Sequence, residues 1–168
     1  MTELRAGDLL LRPPTGADVP AVTEACQDED IARFLPLMPH PYRESDARTW
    51  LAMTERGWAG ELDEKAFAIT RDGAFLGVVS LRPTPGGIGY WLAPAARGAG
   101  VMTRAVAAVV EWGRAEHRVA VFHLLAHPDN VASQRVAEKL GFSRVGIVSH
   151  TPAFSDGTDL AVRFELVV

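Results

Sequence analysis

Cysteine is nearly missing from this chain. Cys26 stands alone, so no internal disulfide forms and no cysteine-based zinc site is built. It reads as a small packing residue, and a reducing, cytoplasmic setting is compatible with it. Long apolar runs are missing too: none approaches the roughly 20 residues that a membrane-crossing helix needs. Met1 to Asp8 shows no charged stretch followed by an apolar one, so no signal peptide and no membrane partner are expected. Charge of one sign is not concentrated, and the formal net charge of −4 excludes a general attraction to nucleic acid. Mild acidity suits a cationic or amine substrate, weakly. The five histidines are scattered, and no structural metal is expected. Repeats, low-complexity tracts and linkers are missing as well. A chain of 168 residues without them suits one domain, residues 1–168, with a sizeable core.

What is present concentrates in two stretches. The first is Arg97-Gly98-Ala99-Gly100-Val101-Met102-Thr103, which follows a strand-like run, Ile88 to Leu92, and opens an apolar helix, Val101 to about Glu116. A strand-to-helix turn leaves the first N–H groups of the helix unpaired, and the helix dipole adds partial positive charge there. Glycines let an anion come close to the backbone, and Arg97 adds a formal charge. By its physics this is a phosphate or pyrophosphate cradle. It is not a Walker loop, because no Gly-Lys-Ser/Thr follows, and the three-glycine dinucleotide fingerprint is broken by Met102. A tight turn needed only by the chain is the plainer reading of the same residues.

The second stretch is Asn130-Val-Ala-Ser133-Gln-Arg-Val136-Ala-Glu-Lys-Leu140-Gly141-Phe142. Asn130 suits an N-cap and Ser133 lies three residues inside. Val131, Val136 and Leu140 recur at helical spacing, and Gly141 suits the left-handed residue after a helix end. Read alone, this is a capped short helix with a solvated serine.

Together the two stretches resemble the GNAT family of N-acetyltransferases. The resemblance rests on Arg97-x-x-Gly100-x-Met102 followed, after one strand, by Asn130-x-x-Ser133 and the run to Gly141-Phe142. Leu11-Arg-Pro, Asp28 to Phe34 and Pro41-Tyr42 are similar to the RimJ/RimL branch, named for ribosomal-protein N-terminal acetyltransferases. Met102 departs from the Gly or Ala usual in the family; in this branch a Met-Thr pair there is ordinary.

The order of elements gives a mixed, mostly antiparallel α/β (α+β) sheet of about seven strands with helices on both faces. Strands are read at Leu9–Arg12, Lys65–Arg71, Ala74–Arg82, Ile88–Leu92, Val119–Ala126, Ser143–Ser149 and Leu160–Val167. Asp72-Gly73 is a hairpin signal. Thr15 is read as the cap of a helix to about Gln27, Asp28 or Asp30 as the start of a short helix through Phe34, and Ser45 as the cap of a longer one. Trp50 and Trp58 are read as packing that helix on the sheet. Tyr90 reads as core, from its strand face. Val119–Ala126 is nearly all apolar, as a strand buried on both faces should be. The strand–cradle–helix–strand unit is a right-handed crossover. The resemblance implies that its two parallel strands splay apart and admit coenzyme A.

The activity implied is acetyl transfer from acetyl-CoA to a primary amine, a protein N-terminus or a small molecule, by direct attack in a ternary complex. Positioning supplies on the order of 7–11 kcal/mol in well-aligned reactions, so no covalent intermediate is needed. By resemblance, the backbone of Gly98, Ala99, Gly100, Val101, Met102 and Thr103 holds the pyrophosphate, with Arg97 beside it. Trp91 and Leu92 offer backbone groups to the pantetheine arm, Asn130 bonds that arm, and Ser133 donates a hydrogen bond or proton to the leaving thiolate; simple helix capping is the alternative for Ser133. Many family members carry a glutamate on the strand before the cradle; Gly86 to Tyr90 has no acid. Deprotonation through water is therefore expected, with His123 at most an auxiliary base; a core histidine bonded to a carbonyl is the favoured reading of that residue. Glu29 and Tyr42 lie where the branch shapes its acceptor pocket, though surface or packing roles suit them equally. A homodimer is expected from the branch alone. The second functional reading is an acyl-CoA-binding sensor or interaction module without turnover.

Overall fold

The structure, a computed structural model, describes residues 2–168. Strands β1 (Leu4–Ala6) and β2 (Leu9–Arg12) form a short antiparallel hairpin. Helices α1 (Val19–Ala25), α2 (Glu29–Phe34) and α3 (Glu44–Trp58) follow. The meander β3 (Lys65–Arg71), β4 (Ala74–Arg82) and β5 (Gly87–Leu92) comes next. Helix α4 (Val101–His117), β6 (Val121–Ala126), α5 (Val131–Lys139), β7 (Ser143–Ser149) and β8 (Leu160–Val167) complete the chain. All eight strands join one sheet in the order β1-β2-β3-β4-β5-β6-β8-β7. Only β5 and β6 run parallel. The sequence expectation of about seven strands missed β1, whose three residues carry no pattern of their own.

Two cores flank the sheet. On one face α4 inserts Val101, Ala105, Val106 and Val109, all fully buried, against Leu9, Leu11, Phe67, Val79 and Phe122. Gly113 lets this helix lie close: an added Cβ would stand 2.7 Å from Leu81 and 3.0 Å from Phe122. On the other face α1–α3 pack Val22, Cys26, Ile31 and Leu51 against Phe75 and Trp91. Trp58 donates its Nε1–H to the Ala66 carbonyl at 2.8 Å and meets Phe67 edge-on, while Trp50 joins the second core.

Three local readings change. Thr15 starts a 3-10 turn, Gly16–Asp18, before α1, and α1 ends at Ala25. The α3 start is held by Asp46, whose carboxylate accepts the Arg43 N–H, and not by Ser45. Strand β6 is not buried on both faces: Val121 and Leu125 are each 37% exposed, because no helix covers that part of the sheet. Asp72-Gly73 turns the β3–β4 hairpin with both residues at positive φ, and Gly141 is left-handed after α5, as expected. None of the helices among the described residues is long and apolar enough to cross a membrane.

Candidate active site

Strands β5 and β6 share only two register pairs, Gly87 with His123 and Ile88 with Leu124. Past Ile88 the strands part. Residues 89–92 of β5 stay bonded to β4 on one side and lose their partner on the other. A cavity of about 570 Å³ opens in that gap, running from the turn before α4 to the first turn of α5.

The turn forms the first wall. Gly98 and Gly100 both take positive φ, 80° and 68°, and an added Cβ at either would meet nothing within 4 Å. Helix α4 begins at once, and its first backbone bond runs from Arg104 N to Gly100 O. The N–H groups of residues 98–103 therefore have no backbone carbonyl to bond. Val101 and Met102 turn their side chains into the core, which is why a residue as large as methionine leaves the cradle open. Arg97 points elsewhere. Its guanidinium donates to Asp28 at 2.6 Å and to the Leu92 carbonyl at 3.3 Å, with Asp30 3.6 Å away. Burial works to raise the Asp28 carboxyl, but the hydrogen bonds from Arg97 and from the Ile31 N–H outweigh it and hold the group below its ordinary value. The cradle is thereby tied to the N-terminus of α2.

The second wall is α5. Asn130 caps it, its Oδ1 accepting the Ser133 N–H at 3.0 Å. Ser133 Oγ lies 2.9 Å from the Tyr90 hydroxyl, which also reaches the Ser133 carbonyl at 3.2 Å. Tyr90 is thus more than a core residue; alternation on β5 turns it toward α4 and α5, and the parting of the strands leaves it lining the cavity. Burial pushes its hydroxyl up to about 12, with the Ser133 hydrogen bond pulling the other way.

His123 lies on the opposite face of the sheet, beside Gly87 and Gly89. A Cβ added to Gly87 would come 3.1 Å from its Nε2. The ring makes no hydrogen bond among the described residues, so the carbonyl-bonded core histidine is not what the fold contains. Burial, Arg163 and Arg82 lower its pKa below the ordinary histidine value, with Glu165 acting against them. The balance favours the neutral ring.

The far rim comes from α2 and the loop between β7 and β8. Phe34, His127, Phe154 and His150 form a contiguous ring stack, with His150 on Phe154 at 4.4 Å. His127 is 2% exposed. Its Nδ1 accepts the Asp129 N–H and its Nε2–H donates to Asp156, both at 3.0 Å. Thr158 hydrogen bonds, Arg33 and His127 hold the Asp156 carboxyl well below the usual carboxylate range.

Residues 8–143 match the acetyltransferase (GNAT) domain. The chain belongs to the GNAT family. None of the curated proteins matches its sequence at a significant level. Among solved structures, the fold is similar to RimL, a ribosomal-protein alpha-N-acetyltransferase with coenzyme A bound (TM-score 0.87, 19% identity, 99% of this chain and 98% of that one). It is similar to Mycobacterium smegmatis RimJ with a coenzyme A disulfide (0.87, 20%, 99% and 86%). It also resembles the microcin self-immunity acetyltransferase MccE with acetyl-CoA and AMP (0.84, 17%, 96% and 93%).

As a GNAT enzyme the protein is an acetyl-CoA-dependent acyltransferase, and its residues fit that co-substrate. The open glycine turn with its unpaired N–H groups suits the pyrophosphate. The free edge of residues 89–92, which includes Trp91 and Leu92, suits an extended arm carrying amides. Asn130, Ser133 and the cradle residues from Arg97 to Thr103 other than Ala99 line or border this cavity. Glu29 and Tyr42 do not line it. Glu29 is exposed on α2; Tyr42 is 7% exposed inside the second core, where burial raises its hydroxyl pKa. Sequence reasoning missed Tyr90, the Asp28 and Asp30 partners of Arg97, and the aromatic rim. Tyr90 had one available signal, its position two residues before the end of the strand that feeds the cradle.

Proposed function

We propose that the protein transfers the acetyl group of acetyl-CoA to a primary amine, by direct attack within a ternary complex. The observation that carries this reading is the split sheet. Hydroxyl groups, from Ser133 and Tyr90, sit on the α5 side of the gap, and a neutral imidazole, His123, sits on the other. The α5 side holds the donor's sulfur end, and the His123 side, left open by α1–α3, admits the amine. Backbone N–H groups of residues 98–103 anchor the pyrophosphate, and the free β5 edge orients the pantetheine arm.

The amine must shed a proton to attack. His123 takes it, directly or through one water, because its ring is unbonded and its surroundings favour the neutral form. Attack forms the C–N bond, the C–S bond breaks, and Ser133 offers a hydrogen bond to the departing thiolate. Serine is too weak an acid to give its proton away fully; the thiolate is protonated by solvent on release, and His123 returns its proton to solvent. A peptide N-terminus is the acceptor class favoured by the similarity to RimL, whose substrate is a protein alpha-amine; a small amine uses the same chemistry.

The test is thiol release from acetyl-CoA across a panel of N-terminal peptides and small amines, with the acetylated product identified by mass. Amine-dependent release with an N-acetyl product is the expected result. Thiol release that ignores every amine overturns it.

A further inference from the structure

The geometry points to Tyr90 as a positioning residue: its hydroxyl donates to Ser133 Oγ and so frees the serine proton to face the departing sulfur. This rests on the Ser133 role just proposed. A serine hydroxyl has one proton and two lone pairs. If Ser133 donates to the tyrosine oxygen, its proton is occupied and cannot meet a thiolate. If Tyr90 donates to Ser133, the proton is free. Tyr90 has two acceptors in reach, Ser133 Oγ at 2.9 Å and the Ser133 carbonyl at 3.2 Å. Its proton moves from one to the other by rotation about the C–O bond, with no heavy atom displaced. As charge gathers on sulfur, the serine proton swings to it and the tyrosine proton swings from the carbonyl to Oγ. The two bonds in series then polarise each other.

The surroundings fix the rest of the pair. Ser133 N–H is held by Asn130 at 3.0 Å, which sets the first turn of α5. Tyr90 stands where β5 has lost β6, two residues beyond the last register pair. Its ring packs against the α4-side core, so the hydroxyl is carried on a rigid strand and not on a loop. Burial keeps that hydroxyl protonated through the neutral range. It stays a donor throughout, and no tyrosinate forms. No proton leaves either side chain, so charge and atoms balance with solvent protonating the released thiolate.

The experiment is a cycle of four proteins: unchanged, Tyr90→Phe, Ser133→Ala and both together. Tyr90→Phe removes a single oxygen, and circular dichroism checks the fold of each. The first readout needs no amine: the pKa of the thiol of bound coenzyme A, followed by thiolate absorbance. A hydrogen bond to sulfur lowers that pKa. We expect it to rise in Tyr90→Phe and in Ser133→Ala, and to rise no further in the double variant. The second readout is turnover with the best amine. A hydrogen bond to a charged group is worth about 1.5–3 kcal/mol, so kcat should fall by about tenfold or more in Ser133→Ala and by a smaller factor in Tyr90→Phe, which keeps the serine but removes the partner that orients it, with the acetyl-CoA Kd nearly constant. The double variant should match Ser133→Ala.

A thiol pKa and a kcat unchanged by Tyr90→Phe, while Ser133→Ala alters both, overturns the inference alone. Equal losses from Tyr90→Phe with and without Ser133 also overturn it, since the tyrosine then acts independently. Full activity and an unshifted thiol in Ser133→Ala overturn the serine role and the inference with it. Absence of any amine product leaves the thiol titration standing, so failure of the acceptor reading is seen separately.

Discussion

The two faces of the split sheet are built differently from the same strands. Neighbouring residues on β6 show it most clearly. Leu124 is 3% exposed in the core beneath α4 and α5, whereas Leu125, next along the chain, is 37% exposed on the face that α1–α3 leave bare. The covered face holds Tyr90 and Ser133 in hydrogen-bonded order. The bare face carries His123, whose ring has no hydrogen-bond partner among the described residues. In the proposed reaction the closed face fixes groups that must point at one atom, and the open face would admit the amine and leave the proposed base unengaged. Rigidity and access are separated by one sheet one strand thick.

The largest way to disturb both faces at once is to block the ligand they share. Gly100→Glu places a carboxylate at the mouth of the cradle, and like charges forced together cost several kcal/mol. Acetyl-CoA binding, read by calorimetry, should weaken on the order of a hundredfold or more. The fold should persist by circular dichroism, since space is open at that position; unaltered affinity would remove the cradle from the account.

The leucine pair sharpens the contrast in stability. Leu124→Ala should cost about 2–5 kcal/mol in a denaturant titration, as large-to-small core changes do. Leu125→Ala should cost well under half of that. Equal costs would mean that the bare face is covered in solution.

His123 tests the bare face in chemistry. His123→Gln should lower kcat/KM about a hundredfold, the usual effect of losing a general base. In the unchanged enzyme activity should fall as pH drops through a limb below the ordinary histidine value of about 6.5, because burial and two arginines depress the ring's pKa. Above that limb His123 is neutral and competent. The variant should lack the limb; a retained limb and near-normal rate would restore a wholly water-borne deprotonation.

The smallest expected effect belongs to the α5 cap. Asn130→Ala should cost about 1 kcal/mol of stability, seen as a lower melting temperature. Because the cap also sets the Ser133 N–H, kcat should drop along with it. A stability loss with kcat intact would make Asn130 a cap and nothing more.

Much of this architecture was legible in local pattern. The glycine turn, the long apolar helix and the Asn130–Ser133 start of α5 are each signalled within a few residues, so their placement followed from spacing and capping chemistry. What was not legible depends on what lies across the sheet. Strand β6 reads as apolar throughout, and only the absence of a covering helix exposes every second residue. Tyr90 reads as core because alternation turns it inward; its hydroxyl has a partner only because β5 and β6 part company. Arg97 reads as a phosphate contact, but its carboxylate partner Asp28 is 69 residues away in sequence. Tyr42 sits within the acceptor-shaping segment of its branch, yet the fold turns its ring into the second core.

His123 and His127 are four residues apart, and the hydrogen bonds around them make them different reagents. His127 is sealed, with one nitrogen occupied by a backbone amide and the other by Asp156. It has no lone pair to offer an electrophile. His123 keeps its lone pair. An imidazole-acylating reagent applied to the native protein should therefore count short of the five histidines in the chain, the missing one being His127, which reacts only after unfolding. Acetyl-CoA in the cavity should slow the labelling of His123 in particular, turning a silent ring into a reporter of occupancy.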